Sequence, residues 1–175
     1  FSGDDGRTSI FDYVTMPQHQ RWMSSGKFDG SDLSDNQIRL REFYSKLLNF
    51  RLRSMAIRKG AFYDLMWVNP WYSNFDPQYV YAFLRYHDEE RLLIVVNFNL
   101  YESRYCEVKI PDDALEYMRM KSSDNELQIA DKEQHAIKVA MDVFTGEGIE
   151  YNFDEVGSQG VNMTIEPAGI KILKL

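Results

Sequence analysis

Cysteine is nearly absent from this chain. The single thiol, Cys106, cannot close an internal disulfide or build a multi-cysteine zinc site, and it leaves the redox compartment open. Long apolar runs are missing too. No stretch approaches the about 20 residues that a bilayer-spanning helix needs, so no membrane partner is expected. Lys and Arg never cluster beyond pairs. With a net charge of −7 the chain lacks the basic face that phosphate binding requires, and no nucleic-acid partner is expected. Histidine is scarce. His19, His87 and His135 stand far apart, without cysteine or carboxylate partners at ligand spacing, so no metal site is expected. Gly157-Ser158-x-Gly160 lacks the lysine and following helix of a phosphate loop, and no nucleophile-elbow glycine pattern is present; no cofactor is expected.

What is present is core-forming material. Apolar residues make up 44% of the 175 positions, enough for one good-sized domain or a domain plus a piece of another. Aromatics stand at 14%, which a large aromatic core explains and which sugar-handling domains share. The chain opens Phe1-Ser2-Gly3, with neither initiator Met nor a charged-then-apolar leader. The expectation is a removed leader or a piece of a longer protein, with location undetermined.

Residues 79–98 form the organising stretch. YVYAFLRYHDEERLLIVVNF reads as two long strands joined by the polar turn His87-Asp88-Glu89-Glu90, and its second arm is apolar on both alternations until Asn97. Such a strand is covered on both faces. Before it, residues 1–14 have no period and read as loop, Thr15 is expected to cap a short helix closed by Gly26, and 26–35 is polar loop. Ser34-x-x-Gln37 is a capping box opening a helix whose stripe is Ile38, Phe43, Tyr44, Leu47, Leu48 and Leu52. A half-turn at Met55-Ala56-Ile57 follows, closed by Gly60. From there the period is two. Strands are expected at 61–68, 105–110, 136–144, 149–153, 161–165 and 169–175, the last two as a closing hairpin across Glu166-Pro167-Ala168. A short helix is expected at 112–118 and a charged loop or flap at 121–134. With the 79–98 pair this makes about eight short strands: a mainly β fold, an antiparallel Greek-key-type β-sandwich.

Several pieces resemble the alpha-amylase family of glycoside hydrolases. Asp5-Gly6-Arg7-Thr8-Ser9-Ile10-Phe11-Asp12-Tyr13, then Met16-Pro17-x-His19-Gln20-x-Trp22, resembles the segment after that family's eighth barrel strand. Phe43-Tyr44-x-x-Leu47-Leu48-Asn49-x-Arg51 and Met55-Ala56-Ile57-Arg58-x-Gly60-x-Phe62 resemble its last barrel helix and exit, with Met55 in place of the usual proline. Tyr81-Ala82-Phe83-Leu84-Arg85, Leu93-Ile94-Val95-Val96-Asn97-Phe98, Asp142-Val143-Phe144-Thr145-Gly146-Glu147 and Ile165-Glu166-Pro167-Ala168-Gly169 are similar to landmarks of its C-terminal β-sandwich. The insert at 122–134 matches nothing in the family. The resemblance implies that the sandwich is preceded by a loop and helices left over from a (β/α)8 barrel. Residues 1–59 would be the tail of that catalytic barrel, carrying rim loop, short helix and last barrel helix, and 60–175 the C-terminal β-sandwich domain.

Retaining glycosidases need two carboxyl groups about 5 Å apart. By resemblance, the family's nucleophile, acid and stabilising carboxylate come from barrel strands upstream of the matched region, so no catalytic residue is assigned. His87-Asp88 imitates the family's His-Asp pair, but Tyr86 stands where Asn is expected, and a solvated turn explains it better. Asp29-Gly30-Ser31-Asp32 lacks calcium-loop spacing. On the rim loop, Asp5, Arg7, Asp12 and Tyr13 are candidates for shaping a sugar subsite, against the plainer reading of a solvated loop. Trp67, Trp71 and Tyr72 are candidates for a sugar-stacking platform, against packing in the core or on the absent barrel. The reading implied is a non-catalytic C-terminal accessory domain of a glycosidase acting on alpha-glucans or maltooligosaccharides. The expected partners are the missing barrel of the same chain and alpha-glucan, with self-association through the exposed helix stripe. The alternatives are a free-standing carbohydrate-binding module and a protein-interaction domain.

Overall fold

The computed structural model describes residues 17–72, 74–120 and 137–175. The expected cap at Thr15, the loop at 1–14 and the charged stretch at 121–134 lie outside these residues. The chain divides into two units, Phe1–Phe50 and Arg51–Leu175.

In the first unit, helix α1 (Pro17–Met23) opens on a proline, tolerated there because first-turn N–H groups have no helical partner. It ends in a tight turn where Ser24, Ser25 and Gly26 all have positive φ. The turn is tied down by Ser24 Oγ, 2.6 Å from Ser31 Oγ, and by Phe28 N–H donating to Met23 O at 3.0 Å. Asp29, in the stretch with a superficial calcium-loop look, accepts from Ser31 N–H at 2.9 Å; this bond holds its carboxyl below the ordinary pKa. Helix α2 (Asp35–Arg53) starts with the predicted capping box: Ser34 N–H donates to Gln37 Oε1 at 3.0 Å and Gln37 N–H to Ser34 Oγ at 3.4 Å. Within the unit, the Arg41 guanidinium lies 4.1 Å over the Trp22 ring, joining α2 to α1.

The second unit is mainly β. Its described strands are β1 (Ala61–Asp64), β2 (Val80–His87), β3 (Glu90–Asn97), β4 (Arg104–Val108), β5 (Ile137–Asp142), β6 (Gly148–Asn152), β7 (Val161–Ile165) and β8 (Ile170–Lys174). One sheet has the order β1-β2-β3-β8-β5-β6, the other is β4-β7, and every pairing is antiparallel. Between them lies the core. Val80, Ala82, Leu84, Leu93 and Val95 come from the large sheet, Cys106, Val108, Val161, Met163 and Ile165 from the small one, and Ala114, Leu115 and Met118 from helix α4 (Asp112–Tyr117) and its exit. A sandwich-like layering results.

β3 is central, flanked by β2 and β8, and buries Leu92, Leu93, Ile94 and Val95 in succession. Leu93 and Val95 face the inter-sheet core; Leu92 and Ile94 face the other way. On that outer face lies helix α3 (Met55–Lys59), held at both ends by the β2–β3 hairpin. Glu90 Oε2 accepts from Ala56 N–H at 2.8 Å, and Arg85 donates to the carbonyls of Ala56 and Ile57 at 3.0 and 3.1 Å. A carboxylate at a helix start and a guanidinium at its end both oppose the helix dipole. The division at Phe50 therefore precedes the change of period at Gly60, because α3 is bound to the sheet.

Two strand expectations change. The strand predicted at 61–68 stops at Asp64, whose Oδ1 accepts from Met66 N–H at 2.9 Å and turns the chain out of the ladder. The expected closing hairpin of 161–165 and 169–175 does not form: β7 pairs with β4 in the small sheet, and β8 pairs with β3 and β5 in the large one. Among the described strands the chain changes sheet four times, after β3, β4, β6 and β7. Asn97, buried at the end of β3, ties the first and the last of these crossings together. Its Nδ2 is within 2.9–3.2 Å of the carbonyls of Glu102, Ile165 and Glu166, and its Oδ1 accepts from Asn99 N–H at 2.9 Å.

Candidate functional site

After β1 the chain makes a hydrogen-bonded turn and one short 3-10 turn before β2, and this loop carries three exposed aromatic residues. Leu65 is buried beneath it, and Val68 and Asn69 N–H both donate to Leu65 O. Asn69 is fully buried and bonded on every side. Its Nδ2 donates to Leu65 O at 3.1 Å and to Lys109 O at 3.0 Å, and its Oδ1 accepts from Lys109 N–H at 2.8 Å. The loop is thus fastened to the chain just after β4. Pro70 opens a single 3-10 turn, Asn69–Trp71. Buried Phe75 and the Asn74 bond to Glu107, 2.7 Å, hold the descending side.

On this frame the rings face solvent: Trp67 is 54% exposed, Trp71 84% and Tyr72 40%. They are not core residues, which removes one of the plainer readings of these three. The Trp71 indole N–H donates to Trp67 O at 3.0 Å, fixing the ring's orientation. Lys109 Nζ sits 3.6 Å from the Tyr72 ring centroid. Tyr63, whose ring lies 6.5 Å from that of Trp67 and 5.6 Å from that of Tyr117 on α4, bridges the loop to the helix. Its hydroxyl donates to Asp113 Oδ2. Burial, and after it this carboxylate partner, raise the Tyr63 pKa well above its ordinary value. The site therefore joins flat apolar rings to an ammonium, a carboxylate and a phenol.

Tyr63, Lys109, Asp113 and Tyr117 carry no signal of this grouping in the sequence. The alternation of β1 and the predicted helix at 112–118 place Tyr63 and Tyr117 on elements but do not bring those elements together. Of the other predicted site residues, Asp5, Arg7, Asp12 and Tyr13 lie outside the described residues. His87 and Asp88 occupy the β2–β3 turn, with Nδ1 and Oδ2 3.1 Å apart and Asp88 at φ 50°. A second, polar cleft of ≈430 Å³ is lined in part by Glu147, Glu166 and Lys171. Its carboxylates already have partners: Lys171 Nζ is 2.8 Å from Glu147, and Ser103 Oγ donates to Glu166 at 3.0 Å. Among the described residues, no group of three or more His, Cys, Asp or Glu could hold a metal ion, and no helix is long and apolar enough to cross a membrane.

No family model and no curated protein matches the sequence. Solved structures do match the fold. AmyP in complex with maltose aligns over 81% of this chain with a TM-score of 0.53 at 16% identity. An AmyP variant in complex with maltotriose gives a TM-score of 0.54 at the same identity. The fold is one that alpha-amylase-family structures contain. An Anoxybacillus alpha-amylase aligns over 78% of this chain at 14% identity, with a TM-score of 0.46. This chain spans only about a fifth of the length of these proteins, 21% of AmyP and 22% of the Anoxybacillus amylase.

Proposed function

We propose that this chain is the non-catalytic C-terminal portion of an alpha-amylase-family glycosidase acting on alpha-glucans or maltooligosaccharides. Residues 1–59 would then be the end of the catalytic barrel, and 60–175 the accessory β-sandwich. The observation that carries the reading is the match of this two-sheet fold, over 81% of the chain, to only 21% of AmyP. The ordered landmarks in β2, β3, the Asp142–Glu147 turn and the β7–β8 crossing support it.

On this reading the sandwich supports the barrel, and the chemistry belongs to carboxylates in other residues of the longer protein. The stripe of α2, which includes Tyr44, Leu48 and Leu52, all exposed, is the surface that would dock against barrel strands. Alone, the same stripe would drive self-association. The experiment assays this polypeptide and the full polypeptide encoded by its gene on maltooligosaccharides, following release of reducing ends. The full polypeptide should turn over substrate and this chain should not. Turnover by this chain, abolished by a single Asp→Asn or Glu→Gln substitution within it, would overturn the proposal.

A further inference from the structure

We propose that the aromatic surface of the 65–72 loop is a carbohydrate-binding site taking an alpha-glucan chain, with Trp71 and Trp67 as stacking rings and Lys109 and Asp113 at its edge. The linkage class of the sugar rests on the function proposed above; the position of the site rests on geometry alone. The first observation is exposure. Trp71 leaves 84% of its surface in water and Trp67 54%, although large aromatic rings gain most when covered. Contiguous exposed apolar surface is what ligand-binding and docking sites present.

The second observation is rigidity. Buried Asn69 fastens the loop through three hydrogen bonds, and the Trp71 indole N–H is committed to Trp67 O. The loop and the Trp71 ring are therefore ordered before any ligand arrives, which lowers the entropy cost of binding. Because the N–H edge of Trp71 is engaged with the protein, its π face is what remains for contact.

The third observation is the chemistry of the surround. A pyranose presents C–H groups on its faces and hydroxyls around its rim. The faces match the electron-rich faces of aromatic rings. The hydroxyls both donate and accept, and this surface presents the Lys109 ammonium over Tyr72 and the Asp113 carboxylate, whose Oδ2 already accepts from the Tyr63 hydroxyl. Rings combined with charges of both signs suit a polyhydroxylated chain better than the aliphatic face of a protein.

The test titrates the 175-residue chain with maltoheptaose and with cellohexaose, by calorimetry and tryptophan fluorescence. Wild type is compared with Trp71→Ala and Trp67→Ala, with circular dichroism confirming that each variant is folded. Saturable maltoheptaose binding is expected, weakened about tenfold by Trp71→Ala. Trp22→Phe, in the other unit, should leave it unchanged. Binding of cellohexaose instead, lost in the same variants, would overturn the alpha-glucan assignment and with it the function on which that assignment rests. No saturable binding of either sugar, or binding that both Trp variants retain, would overturn the site and leave the accessory-domain reading standing. If Trp71→Ala weakens only association with the separately expressed remainder of the full polypeptide, the surface is a protein-docking site and the proposal is wrong.

Discussion

In β3, Leu92, Leu93, Ile94 and Val95 are all buried; in α2, no residue is buried, although the helix carries Leu40, Tyr44, Leu48 and Leu52. The two segments have similar apolar material and different partners. β3 finds both of its covers inside Arg51–Leu175: the β4–β7 sheet on one side and α3 on the other. α2 is specified by local signals, chiefly the Ser34–Gln37 box and its own hydrogen-bond ladder. Local signals suffice to start a helix, but most helical stability in proteins comes from packing an apolar face. The comparison separates a unit stabilised by its own burial from a helix with no buried residue; the accessory-domain proposal requires that the stripe of this helix be covered by another body.

The largest effect that can break this comparison is a cavity. Leu93→Ala should destabilise the sheet unit by about 2–5 kcal/mol, because Leu93 is fully enclosed and its neighbours cannot all relax. Leu48→Ala should stay within about 0.5 kcal/mol. Urea denaturation of the two variants reads both values, and equal losses would show that α2 is covered after all. Next in size is Asn97→Ala. Removing that amide leaves the carbonyls of Glu102, Ile165 and Glu166, at the crossings after β3 and β7, without this donor, a loss of about 2–3 kcal/mol in the same measurement.

Asn97 also shows where reading the sequence stops. The β2–β3 hairpin was legible because an apolar run on both alternations has few other homes. The capping box was legible because its two residues lie three apart. The partners of β7 and β8 were not. Alternation in 161–165 reveals which face is buried, but the strand that pairs with it is chosen by contacts distant in sequence, such as Cys106 with Met163 and Ile94 with Ile172. The Glu166-Pro167-Ala168 turn looks the same whether it closes a hairpin or carries the chain to another sheet. At the candidate site, the strand expected at 61–68 ends four residues early, at Asp64, because a side-chain bond to Met66 N–H turns the chain there. Tryptophan type alone does not distinguish core from surface, so the exposure of Trp67 and Trp71 required the structure.

The smallest effect is confined to alkaline pH. Cys106 lies wholly in the sheet core, and burial pushes its thiol up to about 12. The folded chain holds a proton that the unfolded chain releases near the ordinary thiol pKa. Its contribution is thus fully present below that ordinary value and is lost as pH rises toward the folded one. Thermal unfolding followed above neutral pH should show this decline, and Cys106→Ala should make it shallower. An unchanged slope would mean that the thiol is not held in the dry core that distinguishes this unit from α2.

The central claim is tested most directly by hydrogen–deuterium exchange on this chain alone and on the full polypeptide encoded by its gene. The account predicts that α2 amides exchange quickly in the chain alone and are slowed about a hundredfold or more in the full polypeptide, while β3 amides are equally slow in both. α2 amides as protected as those of β3 in the isolated chain, or unchanged in the full polypeptide, would contradict it.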